Sequence, residues 1–280
     1  MNSDFMRRSP DGRANDNIVD ASGPADAKDV PSNTAWLKSQ PIRSGVLLLG
    51  GVTIDHFRVR VAQSRYRDDL APSFWSAAGI LLESGTVLTA PLDSLPNVSR
   101  IAVKNGVQRV SVEAFDKVEW FPNIAVLSFT DDLEPIEKAA REIERSRAIL
   151  DLPSMLIPWL GFVWATDGGS NPLRAGVGLP SAAFVETAFA MCSVEISPGQ
   201  RTASSSPEAI WQAARWWSKF YEVAQKHDKS VAQPKGVYRI KQWAAAAVGV
   251  RDDYEGNVIK PVESAGPARA TRGKRARKQK

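Results

Sequence analysis

A single cysteine, Cys192, and two histidines, His56 and His227, are all that the 280 residues contain of those types. One thiol forms no intrachain disulfide framework, and these counts exclude a cysteine-rich zinc site and a multi-histidine centre, so no metal or cofactor is expected. The scarcity of cysteine fits a reducing compartment, and the expected location is the cytoplasm. Long apolar runs are missing too. Arg7–Arg8 is followed by no apolar stretch, and Val46–Leu49, flanked by glycines, is far shorter than the roughly 20 residues that cross a bilayer, so no membrane partner is expected. Residues 1 to about 33 lack aliphatic clusters and are rich in Asp, Asn, Ser, Gly and Pro, which predicts a disordered leader over 1–43. Acids are absent from Ser264–Lys280, where seven basic residues stand, so the preceding chain carries −2 of the net +5. The basic tail, 256–280, offers Arg269–Lys280 to nucleic acid or an acidic partner through salt-sensitive phosphate pairing; without interleaved aromatics it is no base-stacking surface, and a plain solubilising arm is the other reading.

What remains, 44–255, carries an ordinary globular core, with 43% of the whole chain hydrophobic and nine tryptophans. Its clearest element is a helix over Ala203–Tyr221. Ser206 before Pro207 and Glu208 is an N-terminal signal, with Ser205 the alternative cap and Glu208 then closing a capping box. Ile210, Ala213, Ala214 and Trp217 recur at helical spacing, and Trp211, Trp216 and Phe220 widen the apolar surface to several sides.

Around it the sequence predicts strands at Val46–Leu49 and His56–Gln63, the second because Phe57, Val59 and Val61 alternate with Arg58 and Arg60. Phe74–Leu82 and Thr86–Thr89 read as a hairpin closed by Glu83–Ser84–Gly85, and Arg100–Val103 and Gln108–Glu113 as a second one turned by Asn105–Gly106. Asn123–Phe129 reads as a buried central strand, Leu133–Leu150 as an amphipathic helix, Trp159–Ala165 as a strand, Pro180–Met191 as a helix and Val237–Val248 as an Ala-rich helix. The expected fold is α+β, a mainly antiparallel sheet packed against the Trp-rich helix.

The stretch Ser76–Pro91, SAAGILLESGTVLTAP, resembles the histidine-strand hairpin of the NlpC/P60 superfamily of papain-fold thiol hydrolases. In the circularly permuted branch of that superfamily the histidine strand comes first and the cysteine later, at a helix start, which is the order here. The resemblance implies a cysteine activated by helix dipole and imidazole. Matched residue by residue, Ala77 stands at the histidine, Thr89 at the polar third position, and Ser204, Ser205 and Ser206 around the cysteine. Both proton-handling identities are gone, which implies a papain-fold protein that binds a peptide, an acyl-like ligand or a partner protein at Ala77, Thr89, Ser205 and Trp211 without hydrolysing it. Residues 78–129 are also similar to the first barrel of trypsin-like HtrA proteases, with Leu92 or a neighbour in place of His and Asn123 in place of Asp; no Gly-x-Ser-Gly loop follows.

An active alternative stays open, in which Ser206 or Cys192 works with His56 on an amide or ester. Free cysteine in an apolar stretch is more often an inert core residue, and a lone histidine more often a satisfied structural one. The Thr166–Asn171 loop lacks the lysine and spacing of a phosphate loop, and Asp131–Asp132 and Asp252–Asp253 sit at element ends, where capping explains them.

Overall fold

The computed structural model describes residues 18–23, 30–92, 105–165, 169–225 and 234–241, with no side chains for 219 and 221–225. Seven strands form one sheet in the order β1-β7-β6-β2-β3-β4-β5. They are β1 (Ile18–Asp20), β2 (Gly45–Gly50), β3 (Ala77–Leu81), β4 (Thr86–Thr89), β5 (Gln108–Ser111), β6 (Asn123–Ser128) and β7 (Lys235–Ile240). All pairings are antiparallel except β1 with β7. The helices are α1 (Asn33–Ser39), α2 (Ile54–Ala62), α3 (Glu134–Arg145), α4 (Leu152–Val163), α5 (Pro180–Ala190) and α6 (Pro207–Gln225). The class is α+β with a mixed sheet, as composition and patterning indicated in outline.

Side-chain alternation divides the core in two. Val46, Leu48, Ala78, Ile80, Leu88, Ala125, Leu127, Tyr238 and Ile240 face the large layer built from α2–α6. Leu47, Leu49, Leu81, Val87, Ile124, Val126 and Val237 face a thinner cover of Trp36 and Leu37 from α1 together with Phe115 and Phe121. The β3–β4 hairpin forms as its turn residues predict, Gly85 taking the left-handed φ of +79°. Gly106 turns in the same way, but the strand expected at Arg100–Val103 lies outside the described residues.

Three expectations fail, and a fourth holds only in part. His56–Gln63 is not a strand but lies on α2 and its C-cap. Thr53 caps the helix, its Oγ1 accepting from the His56 amide at 3.3 Å, and the buried stripe is His56, Val59, Arg60 and Gln63. That stripe is helical in period but polar in three of its four members, so hydropathy alternation over six residues pointed to the wrong period. Trp159–Ala165 is not a strand either: its residues through Val163 complete α4, which buries Leu152, Met155, Trp159 and Val163 along one side. The reading of Val237–Val248 as a helix gives way to β7, because Val237 and Tyr238 fill opposite sheet faces; residues beyond Lys241 lie outside the described ones, as does the basic tail. Finally, the leader is not without structure throughout. Ile18 is buried in the main core, and Ser32 caps α1, whose Trp36 and Leu37 cover the second face. An isolated Ile and Trp order because the sheet supplies a preformed apolar surface.

Arg239 fixes this N-terminal cover. Its guanidinium donates to the Pro31 carbonyl at 2.9 Å and to Asn33 Oδ1, and lies 5.2 Å from the Trp36 ring. Asn33 Nδ2 in turn donates to the carbonyls of Phe115 and Phe121 at 2.7 and 2.9 Å. Asn33→Ala leaves these buried groups unpaired and is expected to cost about 2–3 kcal/mol; urea unfolding measures it, and a loss below about 0.5 kcal/mol would refute the pinning role.

Candidate functional site

The start of α6 is a side-chain cap followed by a buried carboxylate. Ser206 Oγ accepts from the Ala209 amide at 3.2 Å, with Pro207 in the first helical position. Glu208 is not a solvent-facing complement to the helix dipole but fully buried. Ser73 Oγ donates to it at 2.6 Å, Gln212 Nε2 donates at 2.7 Å, and Arg67 Nη1 stands 3.9 Å away. Burial raises the Glu208 carboxyl above the usual range, outweighing Arg67 and both donors. Arg60, also buried, is lowered to about 10 by burial and by repulsion from Arg67, against attraction to Glu208.

Gln63 ties this corner to the hairpin. Its Oε1 accepts from the Glu208 amide at 2.9 Å while its Nε2 donates to the Trp75 carbonyl at 2.8 Å. The Trp75 and Trp211 rings lie 5.2 Å apart, and Trp211 meets Tyr238 at 5.2 Å. The segment leading into β3 therefore abuts the first turns of α6.

The side chains, however, part company at Ala77. Ala77 belongs to the second face, with Leu47, Leu49, Val87 and Phe121, opposite the layer that holds Trp211. There it borders a cavity of about 20 Å³, room for roughly one water, shared with His56, Thr89 and Ser181. The cavity exists because Ala77 and Gly79 are small: a Cβ on Gly79 would stand 2.9 Å from Val87 Cγ1. Thr89 Oγ1 donates to the Ala78 carbonyl at 2.7 Å, and the His56 ring meets Phe121 edge-on at 5.6 Å. His56 opens α2 while Gln63, which reaches α6, ends it; the rise between them is about 10 Å.

The remaining candidates are held elsewhere. Ser205 Oγ donates to Glu186 Oε1 at 3.1 Å, which Ser197 Oγ also reaches at 2.6 Å. The Gly178 amide donates to Ala203 O and the Leu179 amide to Ser205 O, so the serine loop lies against residues 176–179; a Cβ on Gly178 would come within 2.4 Å of Ser205 O. Cys192 sits half-buried in the turn after α5, and burial pushes its thiol up, away from thiolate character. The structure thus brings Ala77, Thr89 and His56 together along one cavity, whereas Ser205, Ser206 and Trp211 lie at the start of α6 and do not line it. Among the described residues no group of three or more His, Cys, Asp or Glu is placed to hold a metal.

Ser181, Glu186, Gln63 and Ser73 escaped the sequence reading. Ser181 Oγ, in the first turn of α5, accepts from the Ala78 amide at 3.2 Å, which makes α5 the helix hydrogen-bonded to β3. The one legible signal was Glu186, the only acid in an otherwise uncharged helix.

Glu186 carries a pH prediction. Burial raises its pKa above the ordinary value, against the donations of Ser197 and Ser205. A carboxyl whose folded pKa exceeds its unfolded one contributes stability that is complete below the unfolded pKa and is lost as pH rises through the folded one. Glu186→Gln keeps an acceptor for the hydroxyls without the buried charge. Its melting temperature should exceed that of the wild type at pH 8 and converge with it as the pH is lowered; a variant less stable at pH 8 than at pH 5 by the same margin as wild type would contradict this.

No protein-family model matches the sequence, and no curated protein and no solved structure matches it.

Proposed function

We propose that the chain is a catalytically degenerate relative of the papain-like NlpC/P60 hydrolases that works as a binding or interaction module for a protein or peptide. The observation that carries this reading is the separation of the candidate residues, Ala77, Thr89 and His56 lining one cavity that Ser205, Ser206 and Trp211 do not reach. The hydroxyl at the helix start is occupied in capping α6, whereas residue 77 is an alanine that faces the other way, toward His56 and Thr89. An acyl transfer needs nucleophile and base within hydrogen-bond reach, and among the described residues neither Ser206 nor the protonated Cys192 is arranged with an imidazole in that manner. The trypsin-like reading finds no comparable support, since the described chain between β6 and α6 holds α3, α4 and α5 where a second barrel would stand.

The test is labelling of the full chain with a fluorophosphonate and with an electrophilic thiol probe. Wild type is expected to label no more than Ser206→Ala or Cys192→Ala. Labelling that either substitution abolishes, together with His56→Ala, would establish a working nucleophile and end the non-hydrolytic reading.

A further inference from the structure

Among the described residues, helix α4 is the one surface helix with nothing charged on any side. Between Leu152 and Val163, LPSMLIPWLGFV, there is no Asp, Glu, Lys or Arg, and the only side-chain hydroxyl is Ser154, whose Oγ donates back to Asp151 O. Packing accounts for Leu152, Met155, Trp159 and Val163. The opposite side presents Ile157, 71% exposed, and the helix runs out into Trp164, 58% exposed, with Leu156, Leu160 and Phe162 only partly covered. A helix of this kind facing water alone is unusual, because exposed apolar surface is ordinarily scattered.

The rim of this surface is cationic at one end. The stripe Arg58, Val61 and Arg65 of α2 and the turn after it runs alongside: Arg58 donates to Val163 O at the α4 terminus, Arg65 donates to Leu173 O at 3.3 Å, and Arg174 is exposed next to it. Val61 stands exposed between the two arginines. At the other end Arg147 and Asp151 pair and cancel. An uncharged apolar face, a tryptophan at its border and arginines around it form the arrangement of an interfacial helix, whose apolar side enters the boundary of headgroups and acyl chains while cations meet anionic headgroups. Stable attachment takes a second signal, and the seven basic residues of 264–280, with no acid among them, are of the kind that anionic leaflets attract.

We infer that α4, with the Arg58–Arg65 stripe beside it, is a docking surface for an anionic phospholipid bilayer, contacted from one side. Crossing is not involved, since among the described residues no helix is long and apolar enough for it. The inference goes beyond the binding-module reading, adding a membrane surface to its protein or peptide partner, and revises the sequence-based expectation that no membrane takes part.

The experiment is flotation of the full chain with vesicles of phosphatidylcholine alone and with phosphatidylserine added. Wild type should float with the anionic vesicles, remain behind with the neutral ones, and lose retention as salt is raised. Ile157→Asp with Trp164→Asp should reduce the floated fraction about tenfold or more, Arg174→Glu should reduce it less, and Trp164→Leu should largely preserve it. Both aspartate sites are exposed, and unchanged circular dichroism checks that the variant folds; Ile157→Ser with Trp164→Ser is the milder pair if it does not. The inference is overturned if the double variant floats as well as wild type, which would assign binding to the tail alone, or if wild type floats with neither vesicle. Self-association without flotation, removed by the double variant, would overturn it in favour of a second copy of this chain. Failed flotation leaves the probe labelling unaffected, and a labelled Ser206 leaves the flotation unaffected, so the two readings fail separately.

Discussion

Glu208→Ala is expected to lower the free energy of unfolding by about 3–5 kcal/mol. Glu208 is the acidic member of a fully buried corner in which Arg60 and Arg67 are also enclosed. Arg67 keeps one partner outside it, Asp69, at 3.0 and 2.7 Å, and stacks on Phe74 at 4.4 Å, whereas Arg60 donates to the Ser73 carbonyl at 2.6 Å. Removing the carboxylate leaves two cations in low dielectric with less compensation and orphans the Ser73 and Gln212 donors at once. Glu208→Gln keeps the shape and loses only the charge, so it should fall between alanine and wild type. Chemical unfolding at neutral pH checks the order. An alanine variant within about 1 kcal/mol of wild type would mean that the corner is open to water and does not join α2 to α6.

Trp211→Ala is expected to cost a comparable 3–5 kcal/mol or thereabouts, by a different mechanism. Its ring is completely buried between Trp75 and Tyr238, each 5.2 Å away, and so connects α6 to the approach to β3 and to β7 in one contact chain. Truncation opens a cavity bounded by residues on three elements that cannot all move into it. Trp211→Phe should cost much less. It retains most of the ring and discards an indole N–H that finds no acceptor among the described residues. The measurement is urea unfolding with near-ultraviolet circular dichroism, and equal losses for Phe and Ala would show that ring volume is not what the site uses.

Both predictions concern α6, the element that the sequence displayed most openly. Its serine cap, Pro207 and the apolar recurrence through Trp217 are local features, and a helix so marked forms wherever it can bury its face. The β3–β4 hairpin was legible for a similar reason, since Gly85 encodes a backbone conformation that few residues adopt. The helices α2 and α4 were not. In α2 the inward stripe includes Arg60 and Gln63, whose burial depends on Ser73, Trp75 and Glu208, residues that approach only after folding. In α4 apolar residues on every side erase the period that would have marked a helix.

The candidate site divides along the same line. That Ala77 stands where an imidazole is implied, and serines where a thiol is implied, follows from residue identity alone. That Ala77 faces away from the layer holding Trp211 depends on the register of β3 against β2 and β4, and a shift of a single residue would have turned it the other way. Local chemistry written in neighbouring residues fixed the caps and the turns. Packing between distant segments decided which face each residue occupies, which charges are enclosed, and that α4 is left with an apolar side turned outward, because burial is a property of what the rest of the chain places opposite a residue.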